Sequence, residues 1–108
     1  MFGLIESDIR YINSALAQFN EIEIGIIFGS RAMGNYKKGS DVDLAIKGKD
    51  ITSKTIYKLS DLLNEEYPLP YFFDLIHYEG ISNVKLKNHI DREGITIFEA
   101  NSRNYGGY

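Results

Sequence analysis

The sequence predicts an α/β (α+β) domain built from a small mixed β-sheet of about four strands flanked by helices. Two observations carry this prediction: three segments place apolar residues at steps of three and four, and four other segments are alternating or continuously apolar. Because helical and strand patterns alternate along the chain, the helices should pack against one sheet. A chain of 108 residues has room for one core, so residues 1–100 form the predicted domain and residues 101–108 a mobile tail.

The first predicted elements are a helix and the strand that follows it. An apolar stripe predicts an amphipathic helix over residues 5–19. The stripe consists of Ile5, Ile9, Ile12, Leu16 and Phe19. Residues 22–28 begin with alternation and become wholly apolar, which is typical of a strand that is fully buried at its end. This strand should stop at Gly29 and Ser30, where a turn or a helix N-terminus is expected.

The second predicted strand, DVDLAIK over residues 41–47, alternates cleanly between two faces. One face carries Val42, Leu44 and Ile46, and the other carries Asp41, Asp43 and Ala45. The loop before this strand is too short for a full crossover helix. The first two strands are therefore predicted to be antiparallel neighbours.

A helix is predicted over residues 52–66, where apolar residues again recur at helical spacing. Thr52 or Ser53 should cap its N-terminus, since a hydroxyl there can accept a hydrogen bond from a free backbone amide. Pro68 and Pro70 mark the end of this helix and a turn into the next element.

The last elements are two strands on either side of a weaker helix. Residues 71–78 form an aromatic-rich predicted strand. The helix over residues 82–92 should open at Ser82 and close at Gly94. Residues 95–99 complete the predicted sheet.

Composition excludes several classes of function. Acidic residues outnumber basic ones, 15 against 12, and a net charge of −3 does not favour direct nucleic-acid binding, which needs a basic face. The absence of cysteine excludes disulfides and thiolate metal sites and fits a reducing compartment. No stretch approaches the roughly 20 apolar residues that span a bilayer, and no signal peptide is apparent. We therefore expect a cytoplasmic domain without membrane contact.

Asp41 and Asp43 have a spacing that indicates chemistry. At i and i+2 on a strand, both should project from one face, about 6.5 Å apart. Such carboxylates repel each other unless a cation lies between them. Mg²⁺ suits the site because it prefers oxygen ligands and keeps positions for water and substrate phosphate.

Asp74, inside the apolar run FFDLI, is the candidate third carboxylate. Three carboxylates could hold two ions about 4 Å apart, the arrangement used for in-line phosphoryl displacement. The alternative is that Asp74 is an acid at a strand edge or is paired with a lysine.

Gly29 and Ser30 lie where the first buried strand ends. Glycine lets a phosphate approach the backbone closely, and serine offers an N–H and a hydroxyl to its oxygens. A glycine–serine pair by itself is more often an ordinary turn. Its interest comes from Ser30 preceding Asp41 by only eleven residues, which one helical turn and a loop can fold back.

Together these residues resemble a known signature. The segment GSRAMG at 29–34, followed by SDVDL at 40–44, is similar to the motif of the DNA polymerase β-like nucleotidyltransferase superfamily, and most of all to its minimal nucleotidyltransferase (MNT) branch. The resemblance spans nearly the whole chain. It implies the polymerase β-like fold, with Mg²⁺, as two ions, held by Asp41, Asp43 and Asp74. It also implies that Gly29 and Ser30 grip the phosphates of ATP, the nucleotide substrate.

The resemblance gives roles to three more residues of the motif loop. Arg31 is assigned to phosphate or to transition-state charge, with capping of the loop or pairing with an acid as the alternative. Ser40 is assigned to nucleotide binding by orienting Asp41 through a hydrogen bond, or else it merely terminates the loop. Met33 departs from the pattern, because a basic residue commonly occupies its position.

The resemblance also implies a partner. MNT domains are commonly paired with a small all-helical HEPN protein as antitoxin and toxin, and the antitoxin transfers AMP from ATP to a tyrosine of the toxin. A hetero-oligomer is therefore expected, because the catalytic unit uses nearly all 108 residues and leaves no lobe for an acceptor. Two alternatives stay open: a non-catalytic module that blocks a helical partner by contact, and transfer to a small molecule such as an aminoglycoside.

Two histidines and one tyrosine receive no functional role from the sequence. His77 and His89 each stand alone beside aliphatic residues, outside any metal-ligand spacing. Tyr36 could stack on a base, but a tyrosine in a loop is more often simple cover.

Overall fold

The fold is taken from a computed structural model, which describes residues 3–37 and 39–100. The elements in chain order are α1 (Glu6–Ala17), β1 (Ile24–Phe28), α2 (Ser30–Met33), β2 (Val42–Lys47), α3 (Ser53–Asp61), β3 (Phe73–His77), α4 (Val84–Glu93) and β4 (Ile95–Glu99). A π-helical segment, Leu62–Glu66, continues α3, and a 3₁₀ turn, Tyr78–Gly80, follows β3. The predicted tail at 101–108 lies outside the described residues.

The four strands form one mixed sheet in the order β3-β2-β1-β4. β1 is antiparallel to both β2 and β4, whereas β2 and β3 are parallel. This confirms the predicted mixed sheet and the predicted antiparallel pairing of the first two strands. It also brings the end of β1 and the starts of β2 and β3 to the same edge of the sheet.

Helices cover both faces of the sheet. On one face, α1 and α3 bury their apolar stripes against the side of β2 that carries Leu44. On the other face, Ile90 of α4 packs against Ile26, Phe28 and Ala45 in a smaller cluster. The alternation predicted for β2 is confirmed, since Leu44 and Ala45 belong to different clusters. Asp43 shares the α4 face with Ala45.

The predicted N-cap is confirmed at α3 and wrong at α4, whose predicted C-terminal residue Gly94 is confirmed. Thr52 caps α3, its side chain accepting a hydrogen bond from the Thr55 amide. The cap of α4 is Asn83 rather than Ser82, because the Asn83 carboxamide oxygen accepts from the Leu86 amide at 3.1 Å. The sequence predicts Ile5 as part of the apolar stripe of α1, but in the structure Ile5 precedes the helix and is 66% exposed.

The π-helical segment after α3 places the start of β3. The Asn64 side chain accepts a hydrogen bond from the Phe73 amide at 2.7 Å and donates one to the Phe73 carbonyl at 3.1 Å. These bonds satisfy backbone groups on the open edge of β3. They fix the strand one residue before Asp74.

No helix among the described residues is long and apolar enough to cross a membrane.

Candidate nucleotide-binding site

The two central carboxylates lie side by side on parallel strands. Asp43 of β2 is in register with Asp74 of β3, and neighbouring strands are about 4.8 Å apart. Asp41 lies just before β2, on the exposed approach to the same edge. Asp43 is half-buried, whereas Asp41 and Asp74 are exposed. The fold therefore brings the three predicted acids to one edge of the sheet.

Asp43 is the carboxylate most affected by its surroundings. Burial raises its pKa, and the charges of Asp74 and Asp41 raise it further. The repulsion inferred from the spacing of Asp41 and Asp43 is thus present in the fold, and Asp74 contributes more to it than Asp41 does. A cation at this edge would relieve it.

Gly29 is required at its position by its contact with Asp43. Phe28, the last residue of β1, is paired with Asp43, so Gly29 turns the chain away beside that carboxylate. Its φ of 75° lies in the region that favours glycine, and an added Cβ would lie 2.2 Å from Asp43 Oδ2. Any side chain here would collide with the carboxylate. Ser30 follows as the first residue of α2.

His89 joins this group from α4, which sequence reasoning missed. The Gly29 amide donates a hydrogen bond to His89 Nε2 at 3.0 Å, and the His89 ring stands edge-on to Phe28 at 6.1 Å between centroids. The Gly29 N–H is therefore directed at a side chain of α4. Sixty positions separate the two residues, and no local motif links them.

The structure places Arg31 inside the motif loop. Its side chain is buried, at 3% exposure, and its Nη2 donates to the Ser40 carbonyl at 2.7 Å. Its guanidinium also lies over the rings of Tyr36 and Tyr71, 5.2 Å and 5.0 Å from their centroids. This geometry favours the loop-capping alternative over direct contact with phosphate. Tyr36 correspondingly packs on the arginine, as cover for the loop.

Ser40 and Met33 complete the loop. Ser40 Oγ accepts a hydrogen bond from the Lys37 amide at 2.8 Å, which closes the turn before β2 and favours the loop-terminating alternative. Met33 ends α2 and is 53% exposed. An exposed apolar side chain therefore lies at the end of α2.

The paired acids Asp43 and Asp74 could share a metal ion whose remaining ligands come from water and the substrate. Among the residues the structure describes, no group of three or more His, Cys, Asp and Glu side chains is arranged to hold a metal ion. Mg²⁺ is usually held by one or two carboxylates, with water and substrate phosphate in its other positions. The in-register pair of Asp43 and Asp74, with its unfavourable charge, fits that chemistry.

The mixed sheet sets paired carboxylates beside a tight glycine–serine turn, an arrangement with the oxygen ligands and the backbone that a metal-bound phosphate would need. More specifically, residues 10–103 match the family model described as Polymerase beta, Nucleotidyltransferase. The chain belongs to this nucleotidyltransferase family, and its predicted fold is confirmed.

Two solved structures share the fold. One is described as a toxin-antitoxin with AMP-PNP, with a TM-score of 0.69 and 18% identity over 94% of this chain and 79% of that chain. The other is described as the toxin-antitoxin MntA-HepT, with a TM-score of 0.68 and 16% identity over 94% of this chain and 78% of that chain. No curated protein matches the sequence.

Proposed function

We propose that this nucleotidyltransferase transfers AMP from ATP to a hydroxyl acceptor, namely a tyrosine of a cognate helical HEPN-type toxin, with Mg²⁺ as the metal. The observation that carries the proposal is the register of Asp43 with Asp74 immediately beside the Gly29–Ser30 turn. Two paired carboxylates and a tight glycine–serine turn are thereby combined in a domain of a nucleotidyltransferase family.

In this proposal Asp41, Asp43 and Asp74 are the catalytic and metal-binding residues. When bound, Mg²⁺ neutralises the triphosphate and stabilises the charge that develops as the α-phosphorus is attacked. Gly29 lets the turn lie directly against Asp43, because a Cβ at this position would meet the carboxylate. Ser30 offers its hydroxyl to a phosphate oxygen.

The transfer itself forms one bond and breaks one. The acceptor oxygen bonds to the α-phosphorus, and the bond from that phosphorus to the β-phosphate bridging oxygen breaks, releasing pyrophosphate. The proton of the acceptor hydroxyl has to pass to a base. Asp74 suits this step, since it is exposed on β3, a strand at the edge of the sheet.

Arg31 and Ser40 act on the shape of the loop in this proposal. The bond from Arg31 to the Ser40 carbonyl ties the end of the motif loop to α2. Asp41 follows directly, so the tie sets where this carboxylate enters the site. Loss of either residue should disturb the fold as well as the reaction.

The proposed acceptor rests on solved structures that share this fold. Two solved structures with the same fold are described as toxin-antitoxin assemblies, and one of them contains AMP-PNP. At 18% and 16% sequence identity, the likeness of these structures to this chain supports the fold alone. The assignment of toxin, tyrosine and ATP to this chain is therefore part of the proposal.

The experiment that tests this uses ATP labelled on its α-phosphate. The chain is incubated with labelled ATP, Mg²⁺ and a candidate helical partner protein, with Asp43→Asn as the inactive variant and exposed Asp50→Asn as the matched control. Label on a tyrosine of the partner, lost only in Asp43→Asn, is the expected result.

Other outcomes of the same experiment contradict the proposal. Label on an added aminoglycoside but not on the partner would show transfer to a small molecule. Absence of transfer, with Asp43→Asn still neutralising the partner, would show a module that blocks by contact. If ATP labelled on its γ-phosphate also labels the partner, the reaction is phosphate transfer rather than AMP transfer.

A further inference from the structure

His89 is the residue near the carboxylates that the proposed reaction leaves unused. It lies on α4, the helix that covers the same face of the sheet as Asp43. It contacts consecutive residues at the end of β1: its ring stands edge-on to Phe28, and its Nε2 accepts the Gly29 amide. A histidine that merely filled space between the helix and the sheet would have no need of the second contact.

The hydrogen bond fixes the orientation of a turn that glycine adopts readily. Gly29 has φ 75° and ψ −152°, a conformation that glycine reaches without strain but is also free to leave, so surrounding contacts decide whether it is kept. The bond of 3.0 Å to His89 Nε2 has normal length for N–H···N and restrains the peptide plane before Gly29. It also requires a lone pair on Nε2, which places the proton of the neutral ring on Nδ1.

The position of this turn matters because of its neighbours. Ser30 follows it, and the Asp43 carboxylate lies where a Cβ of Gly29 would be. A rotation of the Gly29 peptide would therefore move the serine and change the space beside the carboxylate together. His89 acts on the site from outside, through the backbone.

We infer that His89 is a positioning residue for nucleotide binding: its Nε2 holds the Gly29 amide, and through it the Gly29–Ser30 turn, beside Asp43. The inference rests on the proposed function, because it assumes that this turn receives the phosphates of a nucleoside triphosphate. It assigns to α4 the task of keeping the phosphate-binding turn in place before the substrate arrives.

Two variants separate the hydrogen bond from the packing of the ring. His89→Gln places a carboxamide oxygen near the position of Nε2, so an acceptor for the Gly29 amide remains. His89→Phe keeps an aromatic ring against Phe28 but offers only C–H at that position. His77→Phe is the matched control, since His77 lies at the far end of β3, paired with Ile46.

The measurement is the affinity for a non-hydrolysable ATP analogue with Mg²⁺, by calorimetry, on the full chain. His89→Phe should bind at least tenfold more weakly than the parent, whereas His89→Gln should stay within threefold and His77→Phe within twofold. In parallel, hydrogen exchange of the Gly29 amide, followed by NMR, should be at least tenfold faster in His89→Phe and close to the parental rate in His89→Gln.

The possible failures are distinct. If the parent binds and both His89 variants bind equally well or equally poorly, the hydrogen bond has no positioning role and the inference is overturned. If the parent itself does not bind the analogue, the proposed function is overturned, and the assignment of His89 falls with it.

Discussion

Replacing Asp43 with asparagine should stabilise the metal-free protein at neutral pH. Burial raises the pKa of Asp43, and the charges of Asp74 and Asp41 raise it further. A carboxyl whose pKa is higher in the folded state holds its proton more tightly there, so ionisation weakens the fold. The stabilising effect of the protonated acid is lost as pH rises through the folded pKa, which lies above 3.8. At pH 7 the parent therefore carries a repulsion that Asp43→Asn removes.

The size of this effect follows from the register of β2 and β3. Asp43 and Asp74 face each other across one inter-strand spacing, which is about 4.8 Å. Two charges at that distance repel by about 0.9 kcal/mol in bulk water and by about 3.5 kcal/mol at an effective dielectric constant of 20. Because Asp74 is exposed and salt screens it, we expect about 1 kcal/mol, which raises Tm by about 4–8 °C in a domain of this size.

The assay is thermal unfolding in EDTA at several pH values. The difference between Asp43→Asn and the parent should be largest at pH 7 and should shrink as pH falls through the raised pKa of the parental carboxyl. Exposed Asp50→Asn is the control and should change the free energy of unfolding by less than about 0.5 kcal/mol. If Asp43→Asn is less stable than the parent in EDTA at pH 7, the acid is a structural residue and the metal site is wrong.

Three further predictions concern the turn, the loop and a helix cap. Gly29→Ala should lower the free energy of unfolding by at least about 2 kcal/mol, since its Cβ would meet Asp43 Oδ2; a loss under about 0.5 kcal/mol in urea titration contradicts this. Arg31→Met should cost about 2 kcal/mol, because the Ser40 carbonyl loses its charged donor. If Arg31→Met keeps the parental stability but binds ATP more weakly, Arg31 instead contacts the phosphate. Thr52→Ala should cost about 1 kcal/mol through the lost N-cap, and unchanged thermal unfolding would refute it.

The sheet could be predicted because its strands carry strong local patterns. Residues of β2 alternate between two faces as predicted, and Leu44 and Ala45 are buried in clusters on opposite faces of the sheet. The antiparallel pairing of β1 with β2 followed from the length of one loop. In both cases the information lies within a few consecutive residues.

The errors lie where neighbouring residues could serve equally well. Ser82 and Asn83 are both good N-caps, and the backbone chose Asn83, whose oxygen reaches the Leu86 amide. Ile5 continues the spacing of the α1 stripe, yet the helix starts one residue later and leaves it exposed. Helix ends are set by hydrogen bonds that periodicity does not contain.

The candidate site divides in the same way. Asp41, Asp43 and Gly29 could be singled out because their spacing is unusual, and Asp74 because it interrupts an apolar run. That Asp74 is in register with Asp43 is decided by the pairing of β2 with β3. The part played by His89 was invisible, since its partner is 60 positions away in the chain.

The link between Gly29 and His89 has a consequence for the order in which the molecule is made. A growing chain presents β1, the turn and the acids of β2 and β3 long before it presents α4 and β4, which pairs with β1. Such long-range pairings form late, because the intervening loop must first be closed. A chain still on the ribosome thus contains every acid of the site but cannot hold its turn. The ability to bind a nucleotide should therefore appear abruptly, once residues 84–99 have emerged from the ribosome and packed against the sheet.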